Sequence, residues 1–113
     1  METRVISAEE NKVTVCGEYT KIFMALQNVL IHEGATFTIW DQSINDLEVQ
    51  FKDDFRILIN VRVLDFCLWL FTFKGDSLGP NCASQILDDK AKELAINFSS
   101  SFSSEKISKN HLR

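Results

Sequence analysis

Apolar residues recur at three- and four-residue steps from Ile22 through Phe23, Leu26 and Val29 to Leu30. That spacing predicts a helix over 18–33 with a single apolar stripe. Gly17 and Glu18 suit its start, with an acid near the positive end of the dipole, and Gly34 suits a left-handed stop. The period then changes to two. Phe37 and Ile39 alternate with Thr36, Thr38 and Trp40, and Leu47, Val49 and Phe51 alternate with Glu48 and Gln50. Phe55, Ile57, Ile59, Val61 and Val63 alternate with Arg56, Leu58, Asn60 and Arg62. These stretches predict strands over 36–40, 47–51 and 55–63, followed by a last strand over 66–73. Helical spacing returns with Leu87, Ala91, Leu94 and Phe98, which predicts a second helix over 84–99 capped by Ser84. The expected architecture is α+β: a four-stranded antiparallel meander flanked by an N-terminal and a C-terminal helix. Short β character at Val5-Ile6 and Val13–Val15 competes with a helical turn from Ser7, so residues 1–16 stay open.

Turn lengths convert the pattern into register. A three-residue turn at 52–54 pairs Phe51 with Phe55, Val49 with Ile57 and Leu47 with Ile59, all on one face. A two-residue turn at Leu64-Asp65 pairs Val63 with Phe66. It sends Leu68, Leu70 and Thr72 inward and leaves Cys67, Trp69, Phe71 and Phe73 on the second face. A one-residue slip exchanges the two sets and puts Phe66, Leu68 and Leu70 outside. Either way the stretch "FCLWLFTF" gives the second face large apolar groups, beside the polar Glu48, Gln50, Arg56, Asn60 and Arg62. That stripe needs a cover. A helix of the chain, a second copy or another protein could supply it, and exposed aromatic patches rimmed by charge mark interaction sites.

The chain has 113 residues, the size of one domain, here taken as 1–113 with a loose polar tail at 103–113. Nine Phe and two Trp supply ample core material without disulfide or metal; each buried aromatic withdraws roughly 150–250 Å² from water. Acids outnumber bases 16 to 12, for a net charge of −4. That argues against nucleic acid as the main ligand and is compatible with a basic protein partner. Cys16, Cys67 and Cys82 show no CxxC or Cys/His pairing spacing, and Cys67 reads as a small core residue. Free thiols and an N-terminal segment without an apolar run fit a cytoplasmic protein, and no apolar run reaches the roughly 18 residues of a membrane span. Asn97-Phe98-Ser99 matches a glycosylation sequon inside a helical pattern and reads as chance.

Catalytic chemistry is not signalled. His32 and His111 have no nucleophile in a recognisable elbow, and there is no HExxH, calcium loop or glycine-rich phosphate cradle. No cofactor and no metal are therefore expected, and no catalytic residue is assigned. The acids Asp46, Glu48, Asp53 and Asp54 around two strands allow a metal-dependent nuclease as a third choice of function. Such acids more often keep turns and edge strands soluble.

The layout of helix, meander and helix in an acidic chain, with the stretch "IWDQSINDLEVQFKDDFRILINVRVLDFCLWLF" at its centre, resembles the small acidic bacterial immunity proteins of contact-dependent and polymorphic toxin systems. The resemblance implies a non-enzymatic cytoplasmic protein that neutralises a cognate basic toxin domain by binding it tightly. It is similar more loosely to type III secretion chaperones, which implies a homodimeric chaperone or adaptor as the alternative. The partner-binding candidates are Trp40, Asp46, Glu48, Asp53, Asp54, Arg56, Arg62, Trp69 and Phe71. The acids would attract the partner, and the aromatic groups would anchor it.

Overall fold

The computed structural model describes residues 3–41, 46–51, 55–77 and 84–111. Their order is β1 (Arg4–Glu9), β2 (Lys12–Cys16), α1 (Tyr19–His32), β3 (Ala35–Asp41), β4 (Asp46–Phe51), β5 (Phe55–Asp65), β6 (Leu68–Ser77) and α2 (Ser84–His111). Among these residues six strands form one antiparallel sheet in the order β1-β2-β6-β5-β4-β3. The expected meander is present as β3 to β6. The expected total of four strands is not, because residues 4–16 form a hairpin that adds two strands beside β6. Glu10, at φ 51°, turns that hairpin. Asn11 fastens it: its side-chain amide donates to the Phe73 carbonyl at 2.8 Å, and the Phe73 N–H donates to the Asn11 carbonyl at 2.8 Å.

Helix α1 places Ile22, Leu26 and Leu30 against the sheet, as its stripe requires. Its end is closed by N–H groups of Glu33 and Gly34 donating back to Val29 and Ile31, with Gly34 at φ 93°. Helix α2 buries Leu87, Ala91, Leu94, Ala95 and Phe98 and continues past Ser99, so the tail expected from residue 103 has helical backbone as far as His111. Both helices lie on the same face of the sheet and touch each other. With Val13, Val15, Leu47, Val49, Ile57, Ile59, Val61, Phe71 and Phe73 they enclose one apolar core, and among the described residues no charged residue is buried.

The β4–β5 register matches expectation, with Leu47 opposite Ile59 and Val49 opposite Ile57. The β5–β6 register does not. Val63 stands opposite Trp69 rather than Phe66, Val61 opposite Phe71 and Ile59 opposite Phe73. The chain does not turn at Leu64-Asp65. Leu64 is a bulge, Asp65 pairs with Leu68, and Phe66-Cys67 make the turn with Cys67 at φ 58°. The Asp65 carboxylate accepts the Phe66 N–H at 2.7 Å. The outcome for the faces is the slipped one: Trp69, Phe71 and Phe73 go under the helices, and Leu68, Leu70 and Thr72 go outside. Cys67 is accordingly a half-buried turn residue and not a core residue.

An aromatic chain runs through the core. The ring of Phe98 stands edge-on to Phe71 at 4.9 Å between centroids and lies 5.9 Å from Phe73. Phe23 approaches Phe71 at 5.9 Å, Tyr19 stacks on Phe23 at 4.3 Å, and Tyr19 meets Trp69 at 5.1 Å. Such pairs add about 0.5–1.5 kcal/mol each beyond area burial. Gly17 makes this end possible. It is buried at φ 149°, and a Cβ there would stand 2.8 Å from the Thr3 hydroxyl.

The register has a direct energetic consequence. Phe71 is 0% exposed and Phe66 is 87% exposed. Phe71→Ala should cost about 3–5 kcal/mol in denaturant unfolding, whereas Phe66→Ala should stay within about 0.5 kcal/mol. Equal losses at the two positions would contradict the register.

Candidate functional site

Among the described residues no helix or strand lies against the second face of the sheet. Alternation brings Asp46, Glu48 and Gln50 of β4, Arg56, Leu58, Asn60 and Arg62 of β5, Leu68, Leu70, Thr72, Lys74 and Asp76 of β6, and Lys12, Thr14 and Cys16 of β2 to this outer face. The face has two halves. At one end of the β5–β6 ladder, Arg56 stands opposite Asp76 and Gln50, and at the other Asp65 stands opposite Leu68 beside the turn.

The first half is ionic and ordered. The Arg56 guanidinium donates through Nε to Asp76 Oδ2 at 3.0 Å and through Nη2 to the same oxygen at 2.7 Å. Its Nη1 donates to Glu48 Oε1. Asn60 donates to Asp46 Oδ1 at 2.7 Å. One cation thus bridges two carboxylates, and the trio keeps a negative charge to which Asp46 adds another. The second half is apolar. Leu68 and Leu70 are half-buried beside Cys16, and the turn adjoining them exposes Leu64 and Phe66, with Val63 exposed on the same tip. Leu58 lies between Lys74 and Glu48 and gives the ionic half an apolar patch of its own.

Four of the residues expected to bind a partner, Asp46, Glu48, Arg56 and Arg62, are brought together on this face. Two are not. Phe71 is enclosed by Phe23 and Phe98, and Trp69 points to the helix side, where its indole N–H donates to the Gly17 carbonyl at 3.2 Å. Both were assigned outward by a turn that forms two residues later. Trp40 lies in β3 with its Cα opposite Leu47, and Asp53 and Asp54 lie outside the described residues. Leu58, Leu68, Leu70 and Asp76 were not among the candidates. The slipped register carried the signal for Leu68 and Leu70. Asp76 was hidden because Gly75-Asp76-Ser77 reads as turn chemistry, although β6 runs to Ser77.

The site offers no obvious place for a metal. Among the described residues no three His, Cys, Asp or Glu side chains converge as one would require. Nor is any helix of the described residues long and apolar enough to cross a membrane. No protein-family model matches the chain, and no curated protein matches it in sequence.

Hydrogen bonds to Asp76, and then to Glu48, raise the Arg56 pKa above its ordinary value. A cation whose pKa rises on folding stabilises the fold below its unfolded value, and loses that contribution only as pH climbs through the folded one. The stability difference between wild type and Arg56→Ala should therefore stay flat from neutral into mildly alkaline pH, so far as Arg56 titration sets it. Because the trio is partly exposed, each pair should couple by no more than about 1 kcal/mol in a double-mutant cycle. A steep decline in mild alkali would contradict the assignment.

Proposed function

We propose that this protein is a non-enzymatic binding module that captures another protein on the outer face of its sheet. Its most specific form is an immunity protein that neutralises a cognate toxin by tight binding. The observation that carries this reading is the outer face itself. Leu58, Leu68 and Leu70 stand on it away from both helices, beside an ionic network already held in place by Arg56. Apolar groups on a surface gain by being covered. Charged groups whose geometry is set before binding lose little freedom when the partner arrives.

The mechanism is occlusion. The chain's net charge of −4 draws a basic partner by long-range attraction, which acts mainly on the association rate, and Asp46, Glu48 and Asp76 are carboxylates that the face offers it. Leu68, Leu70 and Phe66 then slow release by shedding water against that partner. Nothing in this sequence of events needs a bond to be broken. A β6 flanked by β2 and β5 has no open backbone edge, so the interaction would run through side chains of the face.

Co-expression with the product of the adjacent gene tests the reading. A retained complex and protected growth are expected. Leu70→Glu should weaken the complex by about 30-fold, the effect of losing a hot-spot contact near 2 kcal/mol, with unfolding unchanged. No retained partner and no protection would overturn the proposal, as would a complex indifferent to Leu70→Glu. A dimer by light scattering, dispersed by the same change, would assign the face to a second copy.

A further inference from the structure

Two cysteines meet at the apolar end of the sheet. Cys16 closes β2 opposite Leu68, and the N–H of Gly17 donates to the Cys67 carbonyl at 2.9 Å. Cys16 and Cys67 are thus diagonal neighbours on adjacent segments. Strands about 4.8 Å apart, rising about 3.3 Å per residue, put diagonal Cα atoms about 6 Å from each other. A disulfide spans Cα separations of about 4.4–6.8 Å. Both thiols are free and half-buried.

Direction matters as much as distance. In an unbroken strand Cys67 would face away from Leu68, hence away from Cys16, because successive side chains alternate. Cys67 is not in an unbroken strand. Its φ of 58° is left-handed, which a non-glycine residue adopts only where surrounding structure imposes it. That conformation breaks the alternation, so strand parity does not fix the Cys67 Cα–Cβ bond on the helix side of the sheet. The surroundings that impose it are the Asp65 carboxylate on the Phe66 N–H and the Gly17 N–H on the Cys67 carbonyl.

We propose that Cys16 and Cys67 form a reversible dithiol–disulfide site whose reactant is a small disulfide of the glutathione class. One protein thiolate attacks a sulfur of oxidised glutathione and expels a glutathione thiolate, leaving a mixed disulfide. The second protein thiolate attacks the protein sulfur of that bond and expels the other glutathione. Two protein thiols give up two protons and two electrons, and one glutathione disulfide becomes two glutathione thiols. The new bond ties the end of β2 to the β5–β6 turn and holds the Phe66 tip against its neighbouring strand. The inference rests on this placement alone, so it and the binding function fail independently.

The test uses the full chain carrying Cys82→Ser, incubated with oxidised glutathione, quenched in acid and measured by intact mass and peptide mapping. The expected product is lighter by two hydrogens, carries a Cys16–Cys67 linked peptide, melts at a higher temperature and reverts in dithiothreitol. Stable glutathione adducts on both cysteines without an internal link, or two thiols left unreacted, would overturn the proposal. If Cys82→Ser unfolds the chain, the same mapping on the native protein decides, since the Cys16–Cys67 peptide is unique.

Discussion

Val63 stands opposite Trp69, Val61 opposite Phe71 and Ile59 opposite Phe73, and the rest of the molecule depends on that register. Over residues 68–71 β6 is apolar on both faces, so burial of that stretch alone does not decide which of its faces goes inside. The tip decides it. A bulge at Leu64 and a left-handed Cys67 set the parity, and the Gly17 N–H and the Asp65 carboxylate hold the tip in place. Once the parity is set, the larger aromatic set meets Phe23 and Phe98, and the two helices share one face. The leucine set is left on the other.

This division explains why one face is so dry and the other so mixed. Among the described residues the helix side encloses no charged group, and its aromatic rings bury area at roughly 25 cal/mol per Å². The outer side holds several of its charges in fixed contacts, with Arg56 between Glu48 and Asp76 and the Asp46 carboxylate accepting from the neutral Asn60 amide. An isolated charge stays fully hydrated and resists being covered. Paired ones cost less to desolvate, provided that their geometry survives contact. A surface built in this way is compatible with both a free state in water and a bound state under a partner.

Legibility in the sequence followed periodicity. Both helices were readable because Ile22 to Leu30 and Leu87 to Phe98 repeat at helical spacing, and the β4–β5 ladder because its alternation is clean. The hairpin of residues 4–16 was not, since its turn places Glu10 at positive φ without the usual glycine or asparagine there. The β5–β6 turn failed for the same reason, with Cys67 as the left-handed residue. Asp65 looked like the turn itself but is the residue before it, where it caps the Phe66 N–H. The end of β6 was lost to Gly75-Asp76, which reads as a breaker until Arg56 supplies a cross-strand partner. For the candidate site, alternation correctly grouped Asp46, Glu48, Arg56 and Arg62. The shifted turn exchanged Trp69 and Phe71 for Leu68 and Leu70.

In this register the leucine set of β6 faces away from both helices. Proton–proton contacts in a nuclear Overhauser spectrum of the folded protein test it most directly. Cross-peaks are expected from the Phe71 ring to the rings of Phe98 and Phe23, and none from the methyl groups of Leu68 or Leu70 to any residue of α1 or α2. Cross-peaks from Leu70 to Phe98 or Leu26, with Phe71 showing none to Phe98, would contradict it.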